Sequence, residues 1–161
     1  LIYMGAKVRI VDDMSSGRIE NLSAVLRNVE VIVGDVRIQG AYAWRKLMDA
    51  GALIANGSDF PVESPNPFFG LHASITRQDK DNDPVGGWYP EERMTDSEAF
   101  ASFTLDAAYS GFQESLLGSL EPGKKADFIV LDRDIFAIPD SEIWQAKALE
   151  TWVNGSQVHG K

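Results

Sequence analysis

The residue best placed to do chemistry is Asp59. It follows Ala52–Ala55, an apolar segment with the length and content of a buried strand, after a break at Asn56, Gly57 and Ser58. A carboxylate just past the carboxyl end of a buried strand is where parallel barrels and open α/β sheets present acid–base groups, because the strand fixes the first residue and the loop is free to vary. Pro61, Pro65 and Pro67 then prevent continuation of a sheet or an early helix and make a fixed loop. Asp59 has a structural reading as well, closure of an Asx-turn after Ser58. Asp12 and Asp13 end the β-branched run Val8–Val11, and Asp35 follows the run Val29–Val33. Taken alone, Asp12 and Asp13 read as caps of the segment that follows. The histidines, His72 and His159, lie in no HxH or comparable ligand pattern, and His72 reads as a packing or surface residue.

The elements that must position these groups follow from periodicity. Val8–Val11, a helical stripe at Ile19, Leu22, Val25 and Leu26, and Val29–Val33 form a strand–helix–strand unit, which implies a parallel pair. From Gln39 to Ala50, Trp44, Leu47 and Met48 make an apolar helical stripe opposite Arg45, Lys46 and Asp49, with Gly51 placed to end the helix. Phe68–Arg77 reads as a helix, and Gly86–Pro90 as an aromatic loop whose Trp88 and Tyr89 either cover a core edge or wall a substrate site. Thr95 with Glu98 forms a capping box that opens a helix reaching about Tyr109. A tight turn at Glu121-Pro122-Gly123 leads into a strand at Ala126–Leu131, and Asn154-Gly155 is a hairpin turn between Ala148–Val153 and Gln157–His159.

Composition narrows the partners. A net charge of −9 repels nucleic acid and anionic membranes, and no basic stripe offsets it. The absence of cysteine excludes disulfides and thiolate chemistry, and no apolar run approaches a membrane span of about 20 residues. The sequence reads as a soluble, cytoplasmic chain with neither a nucleic-acid nor a membrane partner. It opens on Leu1 directly inside an apolar segment and is expected to be part of a longer protein.

GSDFPVESPNP, Gly70, TRQ at Thr76–Gln78, GGWYPEER at Gly86–Arg93, TLDAAYSGF and GSLEPGKKADFIVLDRD closely resemble the end of the metal-dependent amidohydrolase superfamily, in the branch called amidohydrolase family 3. The resemblance begins near residue 38 and continues to the C-terminus. It implies an α/β fold: the last strand and helices of a (β/α)8 barrel over residues 38–115 and the C-terminal part of the small β-domain over residues 116–161. It implies metal-dependent hydrolysis of carbon–nitrogen bonds other than peptide bonds, with a divalent metal, expected to be zinc, and a small amide or N-acyl substrate. Asp59 would be both metal ligand and proton acceptor. At 161 residues the chain is too short for a complete barrel of about 250 residues, so it is expected to be an incomplete fragment, inactive alone and prone to self-association.

Residues 1–37, with VRIVDDMSSGRIENL and VIVGDVR, look instead like a Rossmann-like βαβ piece of the nucleotide-sugar epimerases and dehydratases. That resemblance would make Asp12, Asp13 and Asp35 binding residues for NAD, Asp12 accepting the ribose hydroxyls. The two resemblances meet between Arg37 and Gly40, which suggests two joined pieces of sequence.

Overall fold

The structure, a computed structural model, describes residues 8–12, 29–33 and 42–160. The chain divides into two compact units, Leu1–Ala43 and Trp44–Lys161. In the first, strands β1 (Val8–Asp12) and β2 (Val29–Val33) pair in parallel, Val8 opposite Val29 and Asp12 opposite Val33. This is the pair the sequence implies. The helix expected over Ile19–Leu26 falls outside the described residues, as do Asp13 and Asp35.

The second unit contains helices α1 (Trp44–Asp49), α2 (Pro67–Thr76), α3 (Asp96–Ser102) and α4 (Leu105–Ser110). Strands β3 (Phe128–Leu131), β4 (Ala148–Val153) and β5 (Ser156–His159) follow and form an antiparallel sheet in the order β3-β4-β5. The turn between β4 and β5 is made by Asn154 (φ 51°) and Gly155 (φ 75°). Two successive left-handed residues match the right-handed twist of the flanking strands, which is why Asn-Gly is favoured there.

The core forms around α2. Phe68, Leu71 and Ile75 recur at helical spacing on one face and pack with Met94, Ala99, Ile135, Ile143 and Ala146. Burying each large apolar side chain contributes on the order of 1.5–3 kcal/mol. Helix α2 starts where Pro67 occupies the first turn and Asn66 Oδ1 accepts the Phe68 amide at 3.1 Å. It stops at Arg77, whose backbone is left-handed (φ 61°) and whose N–H bonds Ala73 O at 2.9 Å. Gly70 lets Phe103 come close: a Cβ there would lie 2.6 Å from Phe103 Cζ.

Two expectations are corrected. Ala52–Ala55 is not a buried strand: it has no regular structure, Leu53 is 62% exposed, and only Ile54 packs against the core. A buried strand needs hydrogen-bonded neighbours, and among the described residues this segment pairs with none. The described residues hold a two-stranded parallel pair and a three-stranded antiparallel sheet. The helix expected from Thr95 to about Tyr109 is two helices, because Ser102 Oγ donates to Ala99 O at 2.7 Å and Thr104 Oγ1 donates to Phe100 O at 2.8 Å, in competition with the backbone ladder.

Helix α1 buries no residue fully, but Arg45 is partly buried in an ion pair and the exposed Lys46 reaches a buried carboxylate. Arg45 Nη1 donates to Glu98 Oε1 at 2.9 Å, Arg45 Nη2 pairs with Glu98 Oε2, and Lys46 pairs with the buried Glu92. These ion pairs hold α1 against α3 and the 3-10 turn Pro90–Glu92. Burial pushes the Glu92 carboxyl up, and hydrogen bonds from Lys46 with the nearby Arg77 charge more than reverse this, leaving it below the usual carboxylate range.

Candidate functional site

Asp59 lies in the irregular segment between α1 and α2, exposed to solvent, with a left-handed backbone (φ 55°). Aspartate tolerates that conformation better than most residues, but it remains uncommon outside glycine. The Asp59 carbonyl accepts the N–H groups of Val62 at 2.9 Å and Glu63 at 3.2 Å, so the turn is closed by backbone. Among the described residues the Asp59 carboxylate makes no hydrogen bond or ion pair. The Asx-turn reading is therefore not what the local geometry shows; the turn uses the main-chain oxygen and leaves the side chain available. The Phe60–Pro61 peptide that follows is cis.

The chain leading to Asp59 is fastened at Asn56. Its N–H donates to Ser102 O at 2.9 Å, and its Nδ2 lies 3.0 Å from Ser102 Oγ and 3.4 Å from Ser74 Oγ. Ser74 and Ser102 are both buried, on α2 and α3. The sequence marked Asn56 as a strand breaker and gave no signal of this cluster, since its partners are distant in the chain.

A second arrangement at the C-terminal end of α2 was also not foreseen. The guanidinium carbon of Arg77 lies 4.8 Å from the Trp44 ring centroid and 4.9 Å from that of Trp88, a cation held between two indoles. Arg77 Nε donates to Trp88 O at 2.9 Å and the Trp88 N–H donates to Arg77 O at 2.8 Å. Arg93 reinforces the loop, its Nε donating to Thr76 O at 3.1 Å and its Nη2 to Gly86 O at 2.6 Å. Tyr89 packs edge-on against Trp88, with centroids 4.7 Å apart. In the aromatic loop Trp88 is half-buried against Arg77, and Tyr89 is exposed.

The remaining sequence candidates are dispersed. His72 is buried on α2 with its Nε2 3.0 Å from Asn82 Oδ1, as a packing histidine should be. His159 is exposed near the C-terminus of the sheet, on β5. Asp12 is the last residue of β1, opposite Val33. Among the described residues no three His, Cys, Asp or Glu side chains are grouped so as to hold a metal. A catalytic zinc centre ordinarily takes three protein ligands, so the described residues do not fit a resident metal by themselves. Nor does Asp59 line either of two concavities: a small apolar one bordered by Leu71, Ile75 and Ile143, and an open groove beside Asn66, Arg133, Trp144 and Lys147. Among the described residues no helix is long and apolar enough to cross a membrane.

Residues 20–159 match the model of the amidohydrolase family. The putative amidohydrolase YtcJ of Bacillus subtilis is 30% identical over 129 residues, which cover 80% of this chain and 24% of that protein. The N-substituted formamide deformylase of Arthrobacter pascens is 31% identical over 111 residues, 69% of this chain and 20% of that protein. The crystal structure of an amidohydrolase from Thermotoga maritima superimposes with a TM-score of 0.57 at 16% identity, covering 99% of this chain and 39% of that one. The chain thus spans about a quarter or less of the length of these two curated relatives. The family match reaches back to residue 20, inside the stretch read above as an epimerase-like piece, and the comparisons give the NAD reading of Asp12, Asp13 and Asp35 no support. The match over most of the sequence, together with agreement in fold, shows that the chain belongs to the amidohydrolase family.

Proposed function

We propose that this chain is the C-terminal portion of a hydrolase acting on carbon–nitrogen bonds of small amide or N-acyl molecules, and that Asp59 is its proton-transferring carboxylate. Residues 38–115 would be the end of the catalytic barrel and residues 116–161 part of the small β-domain. The observation that carries the reading is the Asp59 carboxylate itself, exposed and without a partner among the described residues, on a turn that its own carbonyl closes. A carboxylate so held can take a proton from an attacking water and return it to the departing nitrogen, a role worth ~10²–10⁴-fold in rate. Support for the bond type comes from the relatives, one of which is named as a deformylase of N-substituted formamides. A divalent metal belongs to the whole enzyme in this reading, with Asp59 as the ligand contributed here and the others lying outside the described residues.

The test is a chimera in which residues 44–160 replace the matching segment of the Arthrobacter pascens deformylase, assayed on an N-substituted formamide at matched metal content. Asp59→Asn should lower turnover by ~10²-fold or more with the fold intact. Equal turnover by the chimera and its Asn variant would remove Asp59 from the mechanism.

A further inference from the structure

Two buried serines face Asn56, and both have already committed their hydroxyl protons. Ser74 Oγ donates to Gly70 O at 2.8 Å and Ser102 Oγ donates to Ala99 O at 2.7 Å. A hydroxyl has a single proton, so each oxygen can only accept from what stands opposite. An amide NH2 carries two protons and suits both, with the Met94 sulfur a weak further acceptor 4.0 Å from Nδ2, and the assignment of Nδ2 rather than Oδ1 toward the serines follows from that chemistry. Beyond Asn56 the hydrogen bonds of residues 57–65 stay within the loop or reach Asn66; among the described residues Asn56 is its tie to α2 and α3.

We propose that Asn56 is the positioning residue of the Asp59 loop, acting as a double hydrogen-bond donor that fastens the loop to Ser74 of α2 and Ser102 of α3. The cluster works by polarity and not by bulk. Aspartate has the size and shape of asparagine, yet it would set carboxylate lone pairs against serine lone pairs and leave buried acceptors without a donor. The anchoring stands on these contacts alone; its meaning for catalysis rests on the reading of Asp59 given above.

The measurement is amide hydrogen exchange, corrected for intrinsic rates, on the 161-residue chain and its Asn56→Asp, Asn56→Ala and Asp59→Asn variants. At neutral pH Asn56→Asp should lose at least tenfold protection at the amides of residue 56 and Val62, while the core amides of α2 and α3 keep theirs. Below about pH 4 the carboxyl gains a proton, can donate one hydrogen bond, and should recover part of that protection, whereas Asn56→Ala should stay unprotected at every pH. A substitution acting only through packing gives no such recovery. If Asn56→Asp unfolds at neutral pH, acid-driven refolding seen by circular dichroism, and missing in Asn56→Ala, is the same result. Unchanged loop protection in Asn56→Asp, or identical pH profiles for the two variants, would overturn the proposal. Asp59→Asn should leave exchange as it is, so failure of the anchor and failure of the catalytic reading are told apart.

Discussion

Glu98 is the residue whose surroundings alter its chemistry most plainly. Hydrogen bonds from Arg45 and from Thr95 carry its carboxyl from an ordinary pKa of 4.5 down to about 2. A carboxyl whose pKa is depressed on folding contributes stability that is complete above its unfolded value and is lost as pH falls toward the folded one. Acid should therefore loosen α1 from α3 between about pH 4.5 and pH 2. Glu98→Gln should flatten that part of the stability–pH curve, read by thermal melting at several pH values. In a double-mutant cycle with Arg45→Ala the pair should show coupling of about 1 kcal/mol, at the upper end for a partly exposed ion pair. Coupling indistinguishable from zero would mean that α1 is held by other contacts.

At the scale of elements, the capping box of α3 is present in both directions: Glu98 N–H bonds Thr95 Oγ1 at 3.3 Å and Thr95 N–H bonds Glu98 Oε2 at 2.8 Å. Thr95→Ala should cost about 1 kcal/mol, seen as a fall of a few degrees in melting temperature, and Thr95→Ser should restore most of it. This box was legible in the sequence because a cap involves residues three apart, and the same holds for the Asn154-Gly155 hairpin and for α2 between Asn66 and Arg77. What failed was non-local. Ala52–Ala55 has the composition of a buried strand, but burial is conferred by neighbours, and composition does not say whether they are there. Asp59 could be picked from the sequence as a carboxylate in a proline-bounded loop, whereas its left-handed backbone and its main-chain turn could not. Asn56 and Arg77 were missed for a related reason: each acquires its role from partners far away in the chain, Ser102 for one and Trp44 for the other.

For the molecule as a whole, the β3–β5 sheet leaves both outer strands without a neighbour among the described residues, and Ile129, Val130, Leu149, Val153 and Val158 are exposed on it. Unpaired edges and apolar faces favour pairing with another chain, against the opposition of a net charge of −9. The chain should therefore self-associate, more so in added salt as the repulsion is screened, and sedimentation velocity over a wide concentration range should show growing species. A single concentration-independent monomer would contradict this. The Trp44–Arg77–Trp88 stack also bears on how the protein is born. Helix α1 has six residues, far too few to persist alone, and the stack of both indoles on Arg77 is complete only when Trp88 has been added to the growing chain. During synthesis at about 5–20 residues per second, that delay lasts seconds. Throughout it the amino-terminal flank of the Asp59 loop is incompletely seated, and a nascent chain halted before residue 88 should be more open to proteases there than the full chain.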